Sequence, residues 1–358
     1  MNYNDGFKIG SNQIGICHPT YFIADIAANH DGSLERAKDL IYLAKEAGSH
    51  CAKFQHFKAN KIVSDFGFSS IAKNSMSHQA GWQKSVAAIY DDYHTKREWN
   101  DALIETCKSV DIEFMTTPYD LEAIEDLIDN VNAIKIGSGD ITFSKLLNDI
   151  SSLKKPILLA TGASNIKDVI VAVDEVLTSN SNICLMQCNT NYTGDLENFK
   201  YVNLNVLKTF ATIYPNMPLG FSDHTPGHSA VLGAIALGAR VVEKHFTDDN
   251  NRVGPDHHFA LNPKTWSEMV DRSLELQASL GNGVKEIEDN EMDTIIIQRR
   301  SVRVTRDIAK GEVLSEADID FLRPCPSDAF SPVNYKQLIG SKLKTGRVKD
   351  DYIRASDV

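Results

Sequence analysis

The sequence predicts an α/β fold, a (β/α)8 TIM barrel followed by a small β-rich domain. Eight short segments rich in β-branched and other apolar residues recur between residues 21 and 246, and amphipathic helical segments lie between them. After residue 293 the helical periodicity gives way to short strand patterns separated by turn residues. An open doubly wound sheet is the alternative for the first part, but eight strands of this length favour a closed barrel.

The eight segments have the length and composition of strands that are buried on both faces. They comprise residues 21–27, 51–57, 112–117, 133–137, 157–161, 183–188, 219–224 and 241–246. Segments such as LERAKDLIYLAKEAG, KREWNDALIETCKSV and NIKDVIVAVDEVL supply amphipathic helices between them, and a last helix is predicted over residues 263–280. This alternation of strand and helix is the repeating unit of the barrel.

The same pattern sets the predicted domain boundaries. We predict a barrel over residues 1–282, a linker over residues 283–293 and the β-rich domain over residues 294–358. The linker lies within the polar stretch GNGVKEIEDNEMD, which has neither helical nor strand periodicity. The domain after it is too small to bury a large core of its own.

Composition and charge exclude several classes of function. The formal net charge of −11 argues against nucleic acid or an anionic membrane as the main partner, because both require a basic surface. The N-terminal segment MNYNDGFKIGSNQIG lacks the pattern of a signal peptide, and no segment has the apolar length of a membrane span. Cys51, Cys184 and Cys188 lie in apolar strands without CxxC spacing, which indicates reduced core thiols. We therefore expect a cytoplasmic protein.

Two histidines end neighbouring predicted strands, His224 on the seventh and His245 on the eighth. Side chains alternate along a strand, so His245 and Glu243 share the face that points toward the barrel axis. The C-terminal strand ends are also where active sites of this fold lie. Neutral imidazoles beside a carboxylate can hold a divalent metal with open positions, whereas a purely structural polar network is the alternative.

Two lysines lie within predicted strands, Lys53 on the second and Lys135 on the fourth. A lysine buried in a strand is costly unless it faces a cavity or an anion. The pair therefore indicates a site for a phosphate or carboxylate, although a structural ion pair with Asp25 or Glu243 is the alternative. Hydroxyl groups that could assist belong to Thr117, Ser138 and Ser222.

Eight motifs stand in a fixed order along the chain: IADIAANHDGS, AKFQ, FMTTPYD, IKIGSGD, ATGAS, GFSDHT, GARVVEKHFT and GPDHHFAL. In this order and spacing they resemble the sialic acid synthase family, which makes N-acetylneuraminate and related nonulosonic acids. The C-terminal segment DIAKGEVLSEADIDFLRP resembles the antifreeze-like, or SAF, domain of that family. The resemblance covers nearly the whole chain.

The resemblance implies a condensation of phosphoenolpyruvate with an open-chain N-acylmannosamine-type sugar. Water adds to the adduct, phosphate is released, and a 3-deoxy-nonulosonic acid forms. The sugar could be N-acetylmannosamine or a diacetamido-dideoxy relative. The resemblance also implies a divalent metal on His224 and His245, most often Mn²⁺, with Mg²⁺ or Co²⁺ as alternatives.

The resemblance further implies a role for each matching residue. The predicted phosphoenolpyruvate-binding residues are Lys53, Thr117, Lys135, Ser138 and Ser222. Gln55, Tyr192 and Asp256 would contact the sugar, and the carboxylates predicted to lie near the chemistry are Asp25, Asp140 and Glu243. In this family the SAF domain is thought to reach across a domain-swapped homodimer, and Arg323 matches the arginine that it offers to the partner's sugar site.

Three other functions fit the sequence less well. A 3-deoxy-octulosonate or heptulosonate-phosphate synthase shares the chemistry, but the SAF-like segment and the absence of a second phosphate site argue against it. A metal-dependent hydrolase on this barrel would need an HxH pair at the end of the first strand, where this chain reads IADIAANH. A carbohydrate-binding protein without catalysis would not need buried lysines beside paired histidines.

Overall fold

A closed barrel of eight parallel strands forms the first of two compact units in the computed structural model. The structure describes residues 2–71 and 84–358, and the units divide between Gly281 and Asn282. A short antiparallel hairpin, β1 (Gly6–Ile9) and β2 (Asn12–Gly15), precedes the barrel. The barrel strands are β3 (Tyr21–Asp25), β4 (Cys51–His56), β5 (Glu113–Pro118), β6 (Ile134–Ile136), β7 (Ile157–Ala160), β8 (Ile183–Cys188), β9 (Leu219–Asp223) and β10 (Ala239–His245).

The strands pair in chain order, and β10 closes the barrel by pairing with β3. Each of the eight predicted strands corresponds to one of them, with ends that differ by at most two residues. The prediction of a TIM barrel with a small C-terminal β-containing domain is therefore confirmed.

Helices surround the barrel and connect its strands. They are α1 (Leu34–Glu46), α2 (Ala59–Ile62), α3 (Asp65–Ile71), α4 (Val86–Tyr93), α5 (Asn100–Ser109), α6 (Leu121–Glu125), α7 (Ser144–Ser152), α8 (Ile166–Leu177), α9 (Val206–Ile213), α10 (Ser229–Ala236) and α11 (Pro263–Ser279). Local sequence fixes where the longer ones begin: Asn165 caps α8 within a capping box, and Asn262 caps α11 just before Pro263. None of the helices among the described residues is long and apolar enough to cross a membrane.

Two hydrophobic cores hold the barrel together. Alternate strand residues point outward and pack against the helices, as Phe22, Phe54 and Phe246 do. The inward residues near the strand starts form a second core, in which the hairpin side chains of Phe7 and Ile14 take part. Apolar side chains therefore fill the barrel at its N-terminal end, and the polar residues of the strands collect at the other end.

The second unit has its own small core around Val302, Val304 and Leu338. Its strands β11 (Ser301–Val304) and β12 (Ile319–Leu322) form an antiparallel pair. A helix, α12 (Met292–Gln298), crosses the predicted start of this domain at residue 294, so the chain regains regular structure before the predicted linker ends.

His56 generates a prediction about acid stability. Its buried side chain extends from β4 toward β5 and α5, where Nδ1 lies 2.7 Å from Thr116 Oγ1 and Nε2 lies 3.0 Å from Asn100 Oδ1. Burial lowers the pKa of His56 to about 4. Between pH 6.5 and 4 this histidine therefore binds a proton in the unfolded chain but not in the folded chain. The free energy of unfolding falls as the pH falls through that range.

Replacing His56 by Gln keeps a donor for Asn100 and removes this titration. Between pH 6 and 4.5 the His56→Gln variant is expected to lose about 1.2 kcal/mol less per pH unit than the wild type, which is close to the value of about 1.4 kcal/mol per pH unit for one full proton. Urea unfolding of both proteins across this range measures the difference. If the free energy of unfolding falls equally with pH in both proteins, His56 is not the titrating group.

Candidate active site

Two buried lysines and two buried carboxylates meet at the C-terminal end of the barrel. Lys53 Nζ lies 2.8 Å from Asp25 Oδ2 and 4.0 Å from Glu243 Oε2, and it donates a hydrogen bond of 3.0 Å to Thr117 Oγ1. Burial by itself would lower the pKa of Lys53, but the carboxylates of Asp25 and Glu243 outweigh it and raise that pKa. Lys53 is therefore a permanently charged group inside the barrel.

Lys135 reaches the same cluster from β6, where its Nζ lies 3.4 Å from Glu243 Oε1. The Ser222 hydroxyl donates a hydrogen bond of 3.0 Å to that oxygen. Among the described residues, the buried atoms Asp25 Oδ1 and Glu243 Oε2 have no hydrogen-bond partner. Buried polar atoms without partners are rare in folded proteins, so these two indicate a place where a ligand completes the site.

The two histidines face each other at the same end of the barrel. The ring centroids of His224 and His245 are 5.4 Å apart. Burial lowers the pKa of each imidazole to about 3, so both are neutral near pH 7. Nδ1 of His224 lies 3.0 Å from the carbonyl oxygen of Asn189, which can only accept, so this nitrogen carries the proton and Nε2 keeps a free lone pair.

The surroundings of His245 are both charged and aromatic. Its Nε2 lies 3.8 Å from Asp25 Oδ2 and its Nδ1 lies 3.6 Å from Asp256 Oδ2. The ring of Tyr192 contacts His224 with centroids 4.4 Å apart, and the ring of Phe259 contacts His245 at 4.9 Å. Aromatic rings therefore pack against both imidazoles.

This arrangement fits a divalent cation held by two protein ligands. Two neutral imidazoles, one with its free nitrogen set by a backbone carbonyl, suit such an ion when water or substrate oxygens take the other positions. Within residues 2–71 and 84–358, no group of three or more His, Cys, Asp and Glu side chains is arranged to hold a metal alone. Any ion bound here would therefore keep several positions open for substrate.

These side chains line one cavity of about 330 Å³. From the predicted site it takes in Asp25, Lys53, Gln55, Thr117, Lys135, Ser138, Asp140, Tyr192, Ser222, His224, Glu243 and His245. We name it the anion chamber, because both lysines open into it. Burial raises the pKa of Asp140, on its rim, to about 6.

A second cavity of about 150 Å³ adjoins the anion chamber and shares six lining residues with it: Gln55, Ile62, Tyr90, Tyr119, Tyr192 and His245. We name it the outer chamber. Its wall is largely aromatic and aliphatic: Phe57, Ile62, Ile89, Tyr90, Tyr93 and Tyr119. Asp256 also lines it, and burial together with the nearby Asp25 carboxylate raises the pKa of Asp256 to about 7. Neither lysine nor arginine is among the described residues that line this chamber.

Within the first unit, the structure brings all the predicted site residues together, and the remaining one is Arg323. That residue lies in the second unit, is exposed, and donates from Nε to the Gln298 carbonyl oxygen over 2.6 Å. Sequence reasoning missed Cys188 and Tyr119, which also line the anion chamber. Strand alternation could have found both, because each lies an even number of residues from an inward-facing neighbour: Cys184 on β8 and Thr117 on β5.

Comparison with known proteins shows which family the chain resembles. Residues 40–285 match the family model described as the NeuB family, and residues 299–358 match the model described as the SAF domain. The chain is 34% identical to N,N'-diacetyllegionaminic acid synthase of Legionella pneumophila over 90% of each protein. It is 30% identical to human N-acetylneuraminate-9-phosphate synthase over 95% of this chain and 93% of that protein.

A solved structure shares the fold as well. The crystal structure of N-acetylneuraminic acid synthetase from Leptospira borgpetersenii, in complex with citrate, matches with a TM-score of 0.70 and 25% sequence identity. The match covers 81% of this chain and 95% of that one.

The charge cluster generates a prediction about stability. Replacing Lys53 by Met is expected to destabilise the barrel by about 3 kcal/mol, because the buried carboxylates of Asp25 and Glu243 lose their shared partner. Urea unfolding near neutral pH, followed by circular dichroism, measures the loss.

The double variant Lys53→Met with Asp25→Asn serves as the matched control. Removing one carboxylate should restore about 1 kcal/mol or more, because less uncompensated charge remains buried. An unfolding curve of the single variant that overlays the wild type would contradict the ion-pair account.

Proposed function

The chain belongs to the NeuB family, and from that premise we propose that it condenses phosphoenolpyruvate with an open-chain N-acylmannosamine-type sugar and water. The products are a 3-deoxy-nonulosonic acid and inorganic phosphate. One observation carries the proposal: two buried lysines lie beside two neutral imidazoles at the same end of one barrel. The relatives named as legionaminic and sialic acid synthases support the reaction class.

Charge in the anion chamber suits phosphoenolpyruvate. Lys53 and Lys135 contribute two positive charges, and Asp25 and Glu243 contribute two negative ones, so the cluster alone sums to zero. The phosphate and carboxylate of the ligand would compete with the protein carboxylates for both ammonium groups. The hydroxyls that would complete the anion site belong to Thr117, Ser138 and Ser222.

Bound phosphoenolpyruvate brings more negative charge than the chamber can balance by itself. A divalent ion on His224 and His245 would restore the balance, and we propose Mn²⁺, with Mg²⁺ or Co²⁺ as alternatives. When bound, the ion supplies a Lewis acid for the sugar aldehyde oxygen. The neutral state of both imidazoles supports this role, since a protonated histidine cannot bind a metal.

The reaction then needs two bonds to form and one to break. The C3 carbon of phosphoenolpyruvate forms a bond to the aldehyde carbon of the sugar, and the aldehyde oxygen takes up a proton. Water adds to C2 and loses a proton, and the tetrahedral adduct collapses with cleavage of the C2–O bond to release phosphate. Asp140 and Asp256 have pKa values raised to about 6 and about 7, which suits groups that accept or donate these protons near neutral pH.

The outer chamber supports an uncharged acylated sugar as the second substrate. Its aromatic and aliphatic wall would pack against the acyl methyl group, while Gln55, Tyr192 and Asp256 offer polar contacts to sugar hydroxyls. A sugar phosphate would find no lysine or arginine among the described lining residues. This argues against the octulosonate- and heptulosonate-phosphate alternatives, and the end of β3 lacks the histidine pair that a hydrolase would need.

Arg323 is proposed to act on the sugar site of a second subunit in a domain-swapped homodimer. The match of residues 299–358 to the SAF domain supports the resemblance from which this role comes. A guanidinium can hold two sugar or carboxylate oxygens at once. We also place the reaction in the cytoplasm, which the six unpaired cysteines of the chain support.

Phosphate release tests the proposed reaction. Purified protein is incubated with phosphoenolpyruvate and either N-acetylmannosamine, a 2,4-diacetamido sugar or N-acetylmannosamine 6-phosphate, with and without Mn²⁺. We expect turnover with an unphosphorylated sugar, at least 10-fold slower turnover with the 6-phosphate, and loss of activity after chelation.

His224→Ala is the matched control, because it removes one imidazole at the end of β9. It should reduce turnover at least 1,000-fold while thermal unfolding and circular dichroism stay close to the wild type. Undiminished activity after complete chelation would refute the metal role. Equal or faster turnover of the 6-phosphate would refute the proposed sugar class.

Co-expression of His224→Ala and Arg323→Ala chains with different affinity tags tests the action across subunits. Each variant alone should have little activity. If Arg323 acts across the dimer, the purified mixed dimer has one complete site and should recover about half the wild-type activity. A mixed dimer as inactive as its parents would show that Arg323 serves the site of its own chain.

A further inference from the structure

A network of charges ties together two loops at the C-terminal end of the barrel. The first loop, residues 26–33, follows β3, and the last loop, residues 246–262, follows β10. They lie more than 200 residues apart in the sequence but side by side in the barrel, because β3 and β10 are paired strands. The last loop carries Asp256, which lines the outer chamber.

Asp31 on the first loop is the centre of this network. Its Oδ1 lies 2.9 Å from His257 Nε2, and its Oδ2 lies 2.9 Å from Arg252 Nη2 and 3.1 Å from Arg36 Nε. His257 and Arg252 belong to the last loop, whereas Arg36 belongs to α1. One carboxylate therefore joins three elements.

A second set of contacts supports the first. Arg36 also donates a hydrogen bond of 2.6 Å from Nη1 to Asp248 Oδ2, so it contacts the last loop directly. The other ring nitrogen of the fully buried His257, Nδ1, lies 2.7 Å from Thr247 Oγ1. Gly254 packs so closely that an added Cβ would lie 2.6 Å from His257 Cδ2. The His257 ring is thus held on several sides.

Asp256 precedes His257 and is positioned by this anchoring. Its Oδ2 accepts a hydrogen bond of 3.3 Å from the backbone nitrogen of Ala28 and lies 3.6 Å from His245 Nδ1. A displacement of His257 would shift Asp256 by a comparable distance, because the two share a peptide unit. The outer chamber would then lose a polar wall, while the anion chamber, built on β4, β6 and β9, would keep its lysines.

We infer that Asp31 is a positioning residue for the outer chamber: its contacts with Arg252 and His257 hold the last loop so that Asp256 faces the second substrate. Asp31 itself lines neither chamber, so it acts through the loop and does not touch the reacting atoms. The link to the second substrate rests on the proposed function. The link to the loop does not.

Asp31→Asn is the informative variant. Asp31 has a φ of +51°, in the left-handed region that Asn tolerates better than most residues, so the backbone need not change. The substitution keeps the shape of the side chain and removes its charge. Asp149→Asn is the matched control, because Asp149 is also paired with a cation, Lys145 Nζ at 2.6 Å, but on the exposed face of α7.

Limited proteolysis with trypsin tests the link to the loop without any substrate. Trypsin must take the Arg252 side chain into its own pocket to cleave before Val253, which is 94% exposed. In the wild type Asp31 holds that side chain. We expect cleavage after Arg252, followed by intact mass, to be at least 5-fold faster in Asp31→Asn and unchanged in Asp149→Asn. Equal cleavage rates in all three proteins would overturn the inference.

Steady-state kinetics tests the link to the second substrate. In Asp31→Asn the KM for the sugar should rise about 10-fold while the KM for phosphoenolpyruvate stays within 2-fold of the wild type. Equal increases in both values, or a fall in the melting temperature without selective cleavage, would indicate a general structural role and overturn the inference. If no protein turns over any sugar, the proposed function fails and the proteolysis result alone decides the role of Asp31.

Discussion

The constraint on which the site depends is the burial of two ammonium groups inside the barrel. Lys53 and Lys135 cannot stay charged there unless anions compensate them, and Asp25 and Glu243 do so in the protein without ligand. Each carboxylate also keeps an oxygen without a hydrogen-bond partner among the described residues. A donor or a cation would satisfy these two oxygens, whereas an anion would have to compete with both carboxylates for the lysines.

Apolar side chains fill the N-terminal end of the barrel, and polar side chains collect at its C-terminal end. The hairpin of β1 and β2 contributes Phe7 and Ile14 to the apolar core at the N-terminal end. The charged cluster and the cavity that it lines lie at the other, C-terminal end. There the aromatic rings of Tyr192 and Phe259 pack against both imidazoles, and burial keeps the imidazoles neutral, which is the state that a metal ion requires.

The two chambers differ in the parts of the fold that form them. The charged groups of the anion chamber, Lys53, Lys135, Asp25 and Glu243, are strand residues, whose positions are fixed by the hydrogen bonds of the sheet. The outer chamber is lined largely by loops and short helices after the strands, which depend on contacts such as those of Asp31. The charged cluster is thus built on the rigid scaffold, while the outer chamber is formed largely by parts of the chain that vary more easily in sequence.

The sequence by itself determined the barrel, its strand ends and most of the candidate site. Strand and helix periods are local properties, and the alternation of side chains along a strand is enough to place His245 and Glu243 on one inward face. Only the tertiary structure decided which carboxylate faces which lysine, how Cys188 and Tyr119 enter the anion chamber, and that a hairpin contributes to the apolar core. It also joined Asp31 to His257, because contacts between loops so far apart in sequence leave no periodic pattern and form only when closure of the barrel brings β3 beside β10.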